Sequence, residues 1–149
     1  MKDKIQAKLK EAMLARDTFL TDVLKGLKSA ILYEEVAKGK REEGLSEDEV
    51  ISVVSREVKK RNDSVELYAQ AGNQELADKE KAECEILMQF LPEQMSEDEI
   101  VKLIEEVITE INPDGMKDMG RVIGAVKVKA GATADGAVIA KIVKEKLAN

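Results

Sequence analysis

Two short phrases, LSEDEV at residues 45–50 and MSEDEI at residues 95–100, constrain the fold of this chain most strongly. Each consists of an apolar residue, a serine, an acidic residue three positions later and then an apolar run. This order is typical of a capping box, in which the serine and the acid bond to each other's backbone amides at the start of a helix. The chain is therefore expected to contain at least two helices that begin in the same way.

Apolar spacing and turn residues extend this interpretation to seven helices. Leu20, Leu24, Leu27 and Ile31 share one face of the second helix, and no segment alternates as a strand would. The predicted helices cover about 3–15, 18–37, 46–68, 73–90, 96–111, 117–129 and 135–147. Leu91-Pro92 breaks the pattern, since proline restricts the residue before it. The prediction is an all-α protein, with an antiparallel helical bundle at 1–92 and a small three-helix domain at 93–149.

The single cysteine, Cys84, cannot form an internal disulfide, and no apolar run is long enough to cross a bilayer. The first residues, MKDKIQAKLKEAM, lack the apolar core of a signal peptide. We therefore expect a cytoplasmic protein with no membrane partner. Helical spacing with Ala77, Met88 and Leu91 predicts that Cys84 is a small buried apolar side chain.

The chain has no histidine, which removes the usual catalytic triads and the commonest zinc ligand. Its acidic runs, at 47–49 and 97–99, each follow a serine cap, where negative charge meets the positive end of a helix dipole. Neither run has the alternating spacing of a calcium loop. We predict no metal, no cofactor and no catalysis by this chain alone.

The segment DMGRVIGAVKVKAGATADG, at 118–136, is unusually rich in glycine. It fails as a nucleotide-binding loop, because no strand precedes it and no Gly-Lys-Ser/Thr follows. On a helical wheel Met119, Val122, Ile123 and Val126 form an apolar stripe, and Gly120 and Gly124 lie opposite it. A glycine inside an exposed helix costs about 1 kcal/mol relative to alanine, which suggests that something large approaches this face.

Positive charge is concentrated in the same region. Residues 116–149 carry seven basic and three acidic side chains, a net +4 in a protein of net −6, so the remainder carries −10. This asymmetry indicates an anionic partner. No aromatic side chain occurs after residue 92, so the surface could recognise phosphates and shape but could not stack bases. The candidate nucleic-acid-binding residues are Lys117, Gly120, Arg121, Gly124, Lys127, Lys129, Gly136, Lys141 and Lys144.

Three stretches resemble the YqeY-like proteins of the GatB/YqeY family. They are VLKGLKSAILYEEV at 23–36, SREVKKRNDSVELYAQAGNQELADKEKAECEILMQFLPEQMSEDEI at 55–100, and the glycine-rich segment at 118–136, with its M-G-x-V-x-G and A-D-G phrases. The resemblance covers nearly the whole chain. It departs at Asn73, where the family often has arginine.

The resemblance implies an all-helical, two-part fold. Its C-terminal part is similar to the tail domain of the B subunit of the tRNA-dependent amidotransferase, where the tail contacts the outer corner of tRNA. By position, the resemblance implies that the segment facing tRNA contains Lys117, Gly120, Arg121, Gly124, Lys127, Gly131 and Gly136. It also implies the class of carbon–nitrogen ligases with glutamine as nitrogen donor. This chain lacks both the kinase-like cradle of that subunit and the amidase signature.

Three hypotheses follow. The first is a non-catalytic tRNA-binding accessory protein that uses the C-terminal domain. The second is a protein–protein adaptor with no nucleic-acid role, whose glycine-bearing face receives a partner helix. The third is a component that acts only within an amidotransferase complex.

Overall fold

The computed structural model describes residues 1–148. Within that range the chain forms seven α-helices and two short 3₁₀-helices, and no β-strand occurs. The α-helices are α1 (Lys2–Leu14), α2 (Thr18–Ala37), α3 (Glu47–Gln70), α4 (Gln74–Met88), α5 (Glu97–Ile111), α6 (Met119–Ala130) and α7 (Gly136–Leu147). The prediction of an all-α protein is confirmed.

The helix starts follow from local side-chain chemistry. Ser46 Oγ accepts a hydrogen bond from the Glu49 amide at 3.2 Å, and the Ser46 amide donates to Glu49 Oε1 at 3.3 Å, which completes the capping box of α3. Ser96 Oγ likewise accepts from the Glu99 amide at 3.2 Å at the start of α5. Each cap satisfies an amide that the helix itself leaves unpaired.

Contacts within the chain divide it into two compact units between Leu91 and Pro92. The first unit consists of two antiparallel helical hairpins. Lys2 Nζ lies 3.0 Å from Glu35 Oε1, and Lys28 Nζ lies 2.6 Å from Gln6 Oε1, so α1 and α2 run in opposite directions. The turn 71–73 connects α3 to α4. The core consists mainly of Ile5, Leu9, Val23, Leu24, Leu27, Ile31, Val50, Val53, Val54, Val58, Leu87 and Phe90.

The second unit starts at Pro92 and contains α5, α6 and α7. Its core is aliphatic and consists of Ile100, Ile104, Val107, Val122, Val126, Ala130, Ile139, Ile142 and Val143. The left-handed residue Asn112 (φ 52°) ends α5. A 3₁₀-turn, Gly115–Asp118, then precedes α6, so α6 begins at Met119 and not near Lys117 as predicted. The Asp118 carboxylate holds this turn by accepting from the Asp114 amide at 2.7 Å.

That the two units are separate folding domains, at 1–92 and 93–149, stays a prediction. Among the described residues, no helix is long and apolar enough to cross a membrane.

Candidate nucleic-acid interface

Helix α6 has one side buried in the core of the second unit and one side open to solvent. Val122, Val126 and Ala130 are buried. We use the name glycine face for the opposite side, which consists of Gly120, Arg121, Gly124, Lys127 and Val128. All five of these residues are exposed. The structure thus places the two glycines away from the core, in agreement with the helical wheel.

Among residues 1–148, the glycines on this face have no packing role. A Cβ atom built on Gly120 or Gly124 meets no other atom within 4 Å. Gly124 lies in the middle of α6, where glycine is about 1 kcal/mol less favourable than alanine. Alanine at position 124 would therefore stabilise the fold at least as well as glycine does.

Two cations border the glycines, and both are available to a ligand. Arg121 and Lys127 are exposed. Neither forms an ion pair with a carboxylate among residues 1–148. A basic side chain that is held in no internal pair can neutralise a phosphate without first breaking a salt bridge.

Lys127 also reaches the start of α7. Its Cε and Nζ atoms lie 3.0 and 3.3 Å from the position that a Cβ on Gly136 would occupy. Any larger residue at position 136 would displace this side chain. Asp135 caps α7 by accepting from the Ala137 amide at 2.9 Å, so the helix start lies between a carboxylate and an ammonium group. The structure thus brings Lys127 and Gly136 together.

Two other predicted residues are already paired. Lys117 Nζ lies 2.8 Å from Asp114 Oδ2 within the turn that precedes α6. Lys129 Nζ lies 3.0 Å from Glu110 and so connects α6 to α5. Lys146, which was not among the predicted site residues, makes the same kind of connection from α7, at 2.8 Å from Glu105. The Lys129 and Lys146 pairs connect neighbouring helices, and all three pairs contribute little uncompensated charge.

The remaining predicted residues are spread over other parts of the second unit. Lys141 and Lys144 lie on the exposed side of α7, opposite Ile139 and Val143. Gly131 ends α6 with φ 58° and ψ −134°, a conformation that L side chains rarely adopt. Gly131 is therefore needed for this turn of the backbone, independently of any ligand.

Sequence reasoning missed Val128. Its side chain is 85% exposed, the largest exposure among the large apolar residues that the structure describes. It lies one helical turn after Gly124, on the glycine face. The same wheel that located the glycines places Val128 beside them, so the signal was present in the sequence. An exposed apolar side chain among cations is a feature that a protein partner would use more than a phosphate backbone would.

The basic run KKR at 59–61, in the first unit, is of a kind that usually forms a solvated helix face, but only Lys59 and Lys60 are exposed. Arg61 lies between α3 and α4, at 3.4 Å from Glu57 and 3.3 Å from Glu83. Burial raises the pKa of the neighbouring Cys84 thiol, which is 3% exposed, so the prediction of a buried cysteine is confirmed.

Acidic groups do not converge into a metal site in the described part of the chain. Residues 1–148 contain no group of three or more His, Cys, Asp or Glu side chains placed to hold a metal ion.

Comparison with known proteins identifies relatives over most of the sequence. The family described as Yqey-like protein matches residues 2–147. A Lachancea thermotolerans protein, "Altered inheritance of mitochondria protein 41, mitochondrial", is 31% identical over 106 residues, which are 69% of this chain and 55% of that protein. The chain thus spans about half the length of this relative. An uncharacterised Schizosaccharomyces pombe protein, C22F3.15, is 32% identical over 93 residues, 62% of this chain and 72% of that protein.

Proposed function

The chain belongs to the YqeY-like protein family, and from this premise we propose that it is a non-catalytic, cytoplasmic tRNA-binding accessory protein. In this proposal the glycine face of α6 docks against the phosphates of tRNA, which is the role that a resemblance of the second unit to the tail domain of the amidotransferase B subunit would imply. The chemistry of any amidation reaction belongs to other proteins, because this chain has no histidine and no amidase signature.

The observation that carries the proposal is the combination, within residues 1–148, of glycines without a packing role and cations without a carboxylate partner. A Cβ on Gly120 or Gly124 would meet nothing within 4 Å, so both residues leave open space beside the helix backbone. Arg121 and Lys127 flank that space on the helical wheel. A sugar–phosphate backbone requires close approach and positive charge at the same place, and this face offers both.

The kind of nucleic acid is limited by the side chains available. All four aromatic residues of the chain lie before Pro92, so the second unit cannot stack unpaired bases as single-strand-binding proteins do. It can recognise the shape and phosphate spacing of a folded RNA. We therefore propose a structured corner of tRNA as the ligand and not a single strand.

The proposal is tested by titrating the protein with deacylated tRNA at two salt concentrations. We expect the variant Arg121→Glu/Lys127→Glu to bind more weakly, with a salt slope that is smaller by about 1 for each phosphate that it no longer neutralises. The control is Lys79→Glu/Lys81→Glu, which changes two exposed lysines of α4 and gives the same net charge. If both double variants lose affinity equally, the effect is one of net charge, and the glycine face is not the site.

One observation favours a second candidate, a protein–protein adaptor. The 85% exposed Val128 lies beside Gly124 and would be buried by a helix packed on the glycine face. For an adaptor, reversing the charge of Arg121 changes partner binding little, whereas Gly124→Leu and Val128→Ser both weaken it. For tRNA binding, Val128→Ser has little effect and Arg121→Glu has a large one.

A further inference from the structure

Gly136 begins α7, and the backbone at this position does not require a glycine. Its φ angle lies outside the left-handed region that other residues rarely adopt. By contrast, Gly115 and Gly131 of the same unit have φ angles of 64° and 58° and turn the backbone. Alanine could replace Gly136 without backbone strain, so the presence of glycine at this position has another cause.

The space beside Gly136 is occupied by the end of the Lys127 side chain. Among residues 1–148, the atoms from other parts of the chain that lie within 4 Å of a Cβ built on Gly136 are Lys127 Cε and Nζ, at 3.0 and 3.3 Å. Carbon atoms pack best at about 3.5–4.0 Å, so alanine at position 136 would push this side chain away. The missing methyl group thus creates the place in which the end of Lys127 lies.

This placement of Lys127 gives the fold little stabilisation. The Asp135 carboxylate caps α7 by accepting from the Ala137 amide at 2.9 Å, and it does not lie within 4 Å of the Lys127 ammonium. The start of a helix is also the positive end of its dipole, where a cation is unfavourable. The position of Lys127 therefore does not follow from charge pairing within residues 1–148.

Lys129, two residues later on α6, shows the other way of fixing a lysine. Its ammonium lies 3.0 Å from Glu110, so the side chain is held in place but its charge is compensated. Lys127 instead packs against a glycine and keeps its charge uncompensated by any carboxylate of residues 1–148. A phosphate can therefore bind Lys127 without competing with an internal carboxylate.

We propose that Gly136 is a positioning residue, which holds the Lys127 ammonium in place for a phosphate of RNA. Gly136 has this role only if the tRNA-binding function proposed above is correct. A long side chain loses rotamer freedom when it binds a ligand, and this loss weakens binding. Lys127 has already lost part of that freedom in the space beside Gly136, so its contact with a phosphate costs less. Gly136 thus acts on binding through Lys127 and not through a contact of its own.

A double-mutant cycle on the full chain tests this role, with deacylated tRNA as the ligand. Gly136→Ala should weaken binding about two- to tenfold, which corresponds to the cost of ordering one long side chain. Lys127→Ala should weaken binding at least as much, and Gly136→Ala should then have no further effect in the Lys127→Ala background. The control is Gly26→Ala, which adds the same methyl group to an exposed helical glycine of the first unit and should leave binding unchanged.

The possible outcomes separate this role of Gly136 from tRNA binding itself. If Gly136→Ala weakens binding equally in both backgrounds, or not at all, Gly136 does not act through Lys127, although tRNA binding stands. If the wild type does not bind tRNA, the proposed function fails and the role of Gly136 fails with it. In the free protein, nuclear Overhauser contacts between the Lys127 Hε and Gly136 Hα protons are expected, and their absence would also overturn this role.

Discussion

Replacing Gly124 by alanine should stabilise the second unit, although the residue belongs to the glycine face. Position 124 lies in the middle of α6, its conformation is helical, and the added methyl group meets no atom within 4 Å. Alanine is about 1 kcal/mol more favourable than glycine in a helix interior, partly because it restricts the unfolded chain. A gain of about 1 kcal/mol is about a fivefold increase in the equilibrium constant for folding.

Hydrogen exchange is the suitable assay, because the second unit has no optical probe of its own. Both tyrosines lie in the first unit, so tyrosine fluorescence and near-ultraviolet circular dichroism report on that unit alone. The buried amides of Val122, Val126 and Ile139 exchange when the second unit opens. In Gly124→Ala their exchange should slow about fivefold, while exchange in α3 stays the same.

The matched control is Gly131→Ala at the end of the same helix. Gly131 has φ 58°, so alanine is strained there and should destabilise the unit by about 1 kcal/mol or more. The two substitutions add the same methyl group and should act in opposite directions. Faster exchange in Gly124→Ala would show that the glycine serves the fold and that its face is not kept open for a ligand.

Two further predictions concern the first unit. Hydrogen bonds from Lys40 and Lys38 lower the pKa of Glu49 to about 2. The stabilisation by the Glu49 carboxylate is therefore fully present above the ordinary carboxyl pKa of 4.5 and is lost as pH falls towards 2. The difference in melting temperature between the wild type and Glu49→Gln should shrink over this pH range, and a constant difference would contradict this role of Glu49. Burial raises the pKa of the Cys84 thiol. A thiol reagent should therefore modify the native protein far more slowly than the urea-unfolded protein. Equal rates would show that Cys84 is accessible in the native protein.

The features that sequence predicted well are local ones. Ser46 and Ser96 cap helices through hydrogen bonds from amides three residues away, at 3.2 Å in both cases. Such bonds depend only on neighbours in the chain, so the order of residue types predicts them. The buried side of α6 followed from its helical period in the same way.

The features that sequence missed depend on how helices rotate against one another. Lys129 appeared to be a free cation, but it faces Glu110 of α5 at 3.0 Å. Arg61 belonged to a charged run, but its rotation on α3 directs it towards Glu83 of α4. The contact of Lys127 with Gly136 depends on the angle between α6 and α7. No pattern along one helix specifies such pairings, because they require the position of the second helix.

The most direct test of tRNA binding by the glycine face follows the glycine amides by NMR while deacylated tRNA is added. Glycine amides resonate apart from most others, and the nine glycines of the chain occur in both units. If the glycine face binds tRNA, the signals of Gly120 and Gly124 should shift or broaden first, while those of Gly39 and Gly72 in the first unit stay unchanged. Equal changes in both units, or changes confined to the first unit, would contradict binding at this face.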